Sequence, residues 1–173
     1  APVVVWWPGN APEVPADDPV GRLAQRRITD SSASTRPLVA LQARAASYRA
    51  GDTDLAWTRI TPWRALIASS LDLPYDPITG ATVFVQKNNP SGALLAAWLQ
   101  RGLGVPVETK GTRGPGMTGV DLHTKHGDIR ITRLMMRGVA GVVTDGGFRD
   151  TPTIAALGFP AYHQRPSAPT GPI

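Results

Sequence analysis

Residues 52–64 read DTDLAWTRITPWR and hold two tryptophans (Trp57, Trp63), two arginines (Arg59, Arg64), two acids (Asp52, Asp54) and three threonines. The chain as a whole is only 6% aromatic, so this density marks a place where something specific is built. Asp54 or Thr53 can cap a helix, which predicts a short turn over 54–59. Thr61 followed by Pro62 reads as a second start, a Thr cap with proline at the first helical position, and predicts a longer helix over 62–71. In that helix Trp63, Leu66, Ile67 and Ser70 recur at i, i+3, i+4 and i+7. Such spacing makes one mostly apolar stripe, so Trp63 points inward and Arg64 elsewhere.

Working upstream, Leu38, Leu41, Ala45 and Tyr48 share one face of a helix expected over 37–48, and Gly51 ends that region. Asp17 or Asp18 before Pro19 caps a helix expected over 19–27. The first residues, PVVVWWP over 2–8, show no alternation, as a strand buried on both faces would. A buried strand so early implies preceding sequence, or equally the first strand of a complete domain.

Downstream, 74–80 is a turn cluster and 81–86 (ATVFVQ) a strand. Asn89 with Pro90 starts a helix to 101 whose Leu94, Leu95, Trp98 and Leu99 face the core, and Gly102 and Gly104 stop it. Strands follow over 105–109 and 119–124, joined by a Gly-rich basic loop over 110–116, read as a hairpin connection. The helix between two strands reads as a crossover unit. The fold class is therefore mixed α/β: a strand, a helical region, strand-helix-strand-strand, then a short strand-turn-helix-strand tail that includes a strand over 139–144.

Gly 18 and Pro 17 make about one residue in five a turn former, which implies short elements. With no cysteine, disulfides, thiolate metal sites and cysteine nucleophiles are excluded. The net charge of +5 raises the question of nucleic acid, but the cations are scattered and acids lie among them, so nucleic-acid binding is not expected. No apolar run is long enough to span a membrane, and a cytoplasmic protein is expected.

Several long strings are shared with one family. VVVWWPGNAPEVPADDPVGRLAQRRITD, GDTDLAWTRITPWRALIASSLD, PYDPITGATV and NPSGALLAAWLQRGLGVPVE resemble the C-terminal part of the actinobacterial OpcA proteins, over Pro2 to about Arg133. The resemblance implies a non-catalytic accessory protein that binds glucose-6-phosphate dehydrogenase and promotes its assembly or activity. It also implies a further domain before Pro2 and sets an OpcA-like unit at 1–126. Trp57, Arg59 and Arg64 are the candidate partner-binding residues, because interface hot spots favour Trp and Arg. The plainer alternative is that the tryptophans are core and that Arg59 or Arg64 pairs with Asp52 or Asp54.

From Gly127 the sequence resembles a second family, the RraA-like proteins, which include metal-dependent aldolases. The resemblance runs over 127–173 and is carried by GVVTDGGFRD at 141–150, so the chain reads as a chimera. It implies that Gly146 and Gly147 let the backbone approach an anionic substrate and that Arg149 holds a carboxylate. Asp150 would anchor Mg²⁺ or Mn²⁺ for a pyruvate-type aldolase or decarboxylase. The plainer reading makes Asp145 and Asp150 turn and cap residues, with Thr151 and Pro152 opening a helix over 152–157.

Other constellations are weaker. His123 and His126 sit at i, i+3 but in strand and turn, and with His163 they read as solvated histidines. The GTRGPG loop at 111–116 lacks the Lys-Ser/Thr ending and following helix of a P-loop. Met135 and Met136 read as core filler.

Overall fold

The computed structural model describes residues 1–72 and 74–133, and two short strands beyond them, Val142–Thr144 and Ala161–His163. A three-stranded parallel sheet comes first, in the order β1 (Val4–Trp6), β2 (Arg26–Thr29), β3 (Asp52–Asp54). Helix α1 (Pro37–Ala46) connects β2 to β3. Helices α2 (Leu55–Arg59) and α3 (Thr61–Ser70) then lead into a second sheet, of order β5-β4-β6-β7. Its strands are β4 (Ile78–Gln86), β5 (Val107–Thr112), β6 (Met117–Thr124) and β7 (Ile129–Thr132), and α4 (Pro90–Leu103) links β4 to its parallel neighbour β5. The two later strands, β8 (Val142–Thr144) and β9 (Ala161–His163), pair in parallel. The mixed α/β class and the parallel pair around α4 follow the sequence reading.

The core lies between α3, α4 and the second sheet. Trp63 (2% exposed) and Ile67 of α3 and Leu95 and Leu99 of α4 belong to one buried cluster with Val83, Val120, Leu122 and Ile131 of the strands. Each such burial of a large apolar side chain is worth about 1.5–3 kcal/mol. Gly92 brings α4 close to β4, since a Cβ there would sit 2.7 and 2.8 Å from the two methyls of Val85.

Several expectations are corrected. The segment 19–27 is not a helix: Asp18 accepts from Val20 and Gly21 N–H as a cap should, but only a 3-10 turn, Gly21–Leu23, follows. Ala24 is extended, and Arg26–Thr29 pairs as the central strand, because the Arg27 guanidinium finds its carboxylate on β3. Strand β1 is an edge strand rather than one buried on both faces; Val4 is 52% and Trp6 58% exposed. An apolar run without alternation does not distinguish the two. Helix α3 has no side-chain cap: Ile60 closes α2 and opens α3 while itself near-helical, and Thr61 Oγ1 accepts from Arg64 instead.

The loop over 110–116 is not a hairpin connection either. Strand β5 runs on to Thr112, and β4 lies between β5 and β6, so 113–116 passes over the end of β4. There Gln86 N–H donates to Gly116 O and Gly116 N–H donates to Gln86 Oε1. Strands β3 and β7 lie where the sequence reading places none; β3 (DTD) is a strand by pairing rather than propensity, whereas β7 (IRIT) carries a short β-branched alternation, with Ile131 turned into the core.

Candidate functional site

Parallel strands end on one side, and here β2 and β3 deliver Asp30 and Asp54 to the same edge of the first sheet. Ligands and partners of open α/β sheets gather at that carboxyl edge. Two ion pairs, Asp30–Arg59 and Asp54–Arg44, are built on it, and a third, Arg27–Asp52, ties the opposite, amino end of the same two strands. Arg27 is 7% exposed and donates through Nε to Asp52 Oδ1, while Nη1 and Nη2 donate to Ala24 O (2.8 Å) and Ala50 O (2.7 Å). Asp54 accepts from Thr29 Oγ1 (2.8 Å), Ser31 N (2.9 Å), Ser31 Oγ (2.7 Å) and Arg44 Nη1 (3.4 Å) at one oxygen. Its other oxygen accepts from Ala56 N at 3.0 Å and caps α2. Asp30 receives Arg59 through a parallel fork, and this hydrogen-bonded guanidinium holds its carboxyl below the ordinary value. The same contact raises Arg59 above the ordinary arginine value.

Beside these pairs the first turns of α2 and α3 present a tryptophan to solvent. Trp57 is 38% exposed, and the Arg64 guanidinium carbon lies 4.0 Å from its ring centroid, a cation–π stack. Arg64 also donates from Nη2 to Thr61 Oγ1 at 2.9 Å. Trp57, Leu41, Arg44, Tyr48 and Leu94 line a cavity of about 440 Å³ above the ends of β2 and β3.

The sequence-predicted residues thus separate. Trp57 and Arg64 come together on the surface; Arg59 does not join them, because Asp30 takes both of its terminal nitrogens. The pairings expected with Asp52 and Asp54 go instead to Arg27 and Arg44. Gly146, Gly147, Arg149 and Asp150 lie outside the described residues, as do Met135 and Met136. Among the described residues no group of three or more His, Asp or Glu is placed to hold a metal ion, and no helix is long and apolar enough to cross a membrane.

One arrangement escaped the sequence. His123 lies between Asp128 (Nδ1 to Oδ1, 3.0 Å) and Thr82 (Nε2 to Oγ1, 2.8 Å), in the order of an acid–base relay. Thr82 is only 2% exposed in a strand paired on both sides, so no substrate reaches its hydroxyl. The three residues tie β4 to β6. Residues 41 apart, on neighbouring strands, leave no local sequence signal.

Comparison with known families fits this geometry. Residues 1–46 match the model for the N-terminal domain of the glucose-6-phosphate dehydrogenase subunit, and residues 50–156 match the model for its C-terminal domain. The first strands, read as part of the C-terminal unit, therefore match the N-terminal one. The second match continues through 141–150, and the RraA-like resemblance finds no support. No curated protein and no solved structure matches the chain. All three ion pairs, Arg27–Asp52, Arg44–Asp54 and Asp30–Arg59, join the segment of the first match to that of the second. The C-terminal-domain match covers more than half of the residues, and the chain belongs to the glucose-6-phosphate dehydrogenase subunit family.

Proposed function

We propose that this chain is a non-catalytic, cytoplasmic accessory protein that binds glucose-6-phosphate dehydrogenase and promotes its assembly or activity. The observation that carries the reading is the pair of family matches, one to each domain, with the ion-paired seam between them. Trp57 is the contact residue the geometry favours: a large ring, 38% exposed, with one face held by Arg64. A ring so held loses little freedom on docking, and Trp and Arg dominate interface hot spots. Arg59 acts indirectly, by fixing α2 to the end of β2.

Immobilised glucose-6-phosphate dehydrogenase should retain the chain, and Trp57→Ala should weaken retention about tenfold or more. The comparison protein must carry a similar positive charge, because the chain's net charge of +5 favours non-specific attraction. Retention no greater than that of the comparison protein would sink the proposal.

A further inference from the structure

A second cavity, of about 400 Å³, opens between the N-terminus of α4, the turn before β6 and the end of β7. Arg59, Trp63, Asn89, Ser91, Gly116 and Arg133 line it. Its polar side chains are two guanidiniums, an amide and a hydroxyl, and no carboxylate is among the described lining residues. Ser91 is 4% exposed, and its hydroxyl makes no hydrogen bond to any described residue. Among the described residues the sealed polar atoms without a partner are Arg64 Nε and Thr112 Oγ1; Ser91 Oγ is not one of them, and Ser91 lines the cavity.

The charge balance of the cavity is positive. Arg133 donates through Nε and Nη2 to the carbonyls of Met117 and Pro115, which leaves Nη1 unspent, and among the described residues no acid pairs with it. Arg59 spends both terminal nitrogens on Asp30 and keeps Nε. Helix α4, of 14 residues, adds the positive end of its dipole. The N–H groups of Ser91 and Gly92 are already taken by Asn89 Oδ1, at 2.9 and 3.3 Å. Side-chain donors must therefore do the holding. The TRGPG segment, which in sequence has no helix after it, meets the start of α4 in space.

We infer that this cavity binds a phosphate-sized oxyanion between Ser91 Oγ and the Arg133 guanidinium. Two donors of this kind, on different elements around a pocket with no acid among its described lining residues, suit a tetrahedral anion and repel a cation. The site is separate from the Trp57 surface and does not depend on the partner proposed above.

Titration of the full chain with inorganic phosphate at constant ionic strength, followed by amide chemical shifts, tests it. Saturable shifts centred on Ser91, Gly92 and Gly116 are expected. Ser91→Ala removes a group with no other described partner, so it should leave the fold intact and weaken the apparent affinity about tenfold. Arg133→Met should weaken it at least as much, while Lys110→Met, on β5, should leave it unchanged. Shifts that do not saturate, or that spread over the surface cations, overturn the inference. Equal affinity in the wild type and Ser91→Ala does so too.

Discussion

Arg59 and Asp30 form a two-point ion pair, Nη1 to Oδ1 at 2.7 Å and Nη2 to Oδ2 at 2.6 Å, across 29 residues of sequence. The pair binds the last turn of α2 to the residue that follows β2. Because Arg59 is 45% exposed at its side chain, solvent screens the attraction, and Asp30→Asn should cost about 1 kcal/mol. The pH dependence has a definite sign. A carboxyl lowered in the folded state stabilises fully above its unfolded value, near 3.8, and loses that contribution as pH falls through the lower folded value. Urea melts should therefore separate wild type from Asp30→Asn at pH 6 and bring them together in strong acid. A gap that persists unchanged in acid would show that the carboxylate charge is not the cause.

Asp54 is the more demanding position. Its carboxylate serves Thr29, Ser31, Arg44 and the α2 cap at once, with its side chain only 10% exposed. Asp54→Ala leaves the nearly buried Arg44 without its acid, strands the Ser31 donors and removes a cap, a loss of about 3 kcal/mol or more. Chemical denaturation should show Asp54→Ala well below Asp30→Asn; equal stabilities would mean that water replaces the carboxylate without penalty.

Gly92 tests the packing of α4 on β4. In an exposed helix Gly→Ala gains about 1 kcal/mol. Here the added methyl would overlap both methyls of Val85, so Gly92→Ala should destabilise by about 1–3 kcal/mol. Val85→Ala in the same chain should recover part of that loss. A more stable Gly92→Ala would mean that α4 can lift off the sheet freely.

What the sequence disclosed and what it withheld divide along a physical line. Helices α1, α3 and α4 are legible because their apolar residues repeat at helical spacing and Pro37, Pro62 and Pro90 mark their starts. Strand β4 is legible through Ala81–Val85, a β-branched and aromatic run; the strands β2 and β3 are not. Arg26, Arg27, Asp52 and Asp54 are poor strand formers; what holds them as strands is the parallel pairing, with Arg27 and Asp52 matched in charge across it and Asp54 held by Thr29, Ser31 and Arg44. The exposed Trp57 is legible as a candidate, whereas the Asp30 partner of Arg59 is not, since nothing local joins residues so far apart in sequence. The oxyanion cavity shows in the sequence only as a glycine-rich loop without its helix, which the fold supplies from another segment.

The two tryptophans of the 52–64 stretch make the last prediction, because they sit on successive helices with opposite burial. Trp63 is 2% exposed at the centre of the α3–α4 core, and Trp57 is 38% exposed under Arg64. Trp63→Ala removes a fully buried ring and leaves a void, which should cost about 3–5 kcal/mol of stability. Trp57→Ala loses a partly exposed ring and one cation–π contact, about 1 kcal/mol in all. The same two substitutions should rank in the opposite order for quenching by acrylamide: the Trp57→Ala chain loses part of the accessible fluorescence, the rest coming chiefly from Trp6, and the Trp63→Ala chain, in conditions where it stays folded, keeps all of it. If Trp57→Ala unfolds the chain as Trp63→Ala does, Trp57 is a core residue and cannot serve as a docking surface.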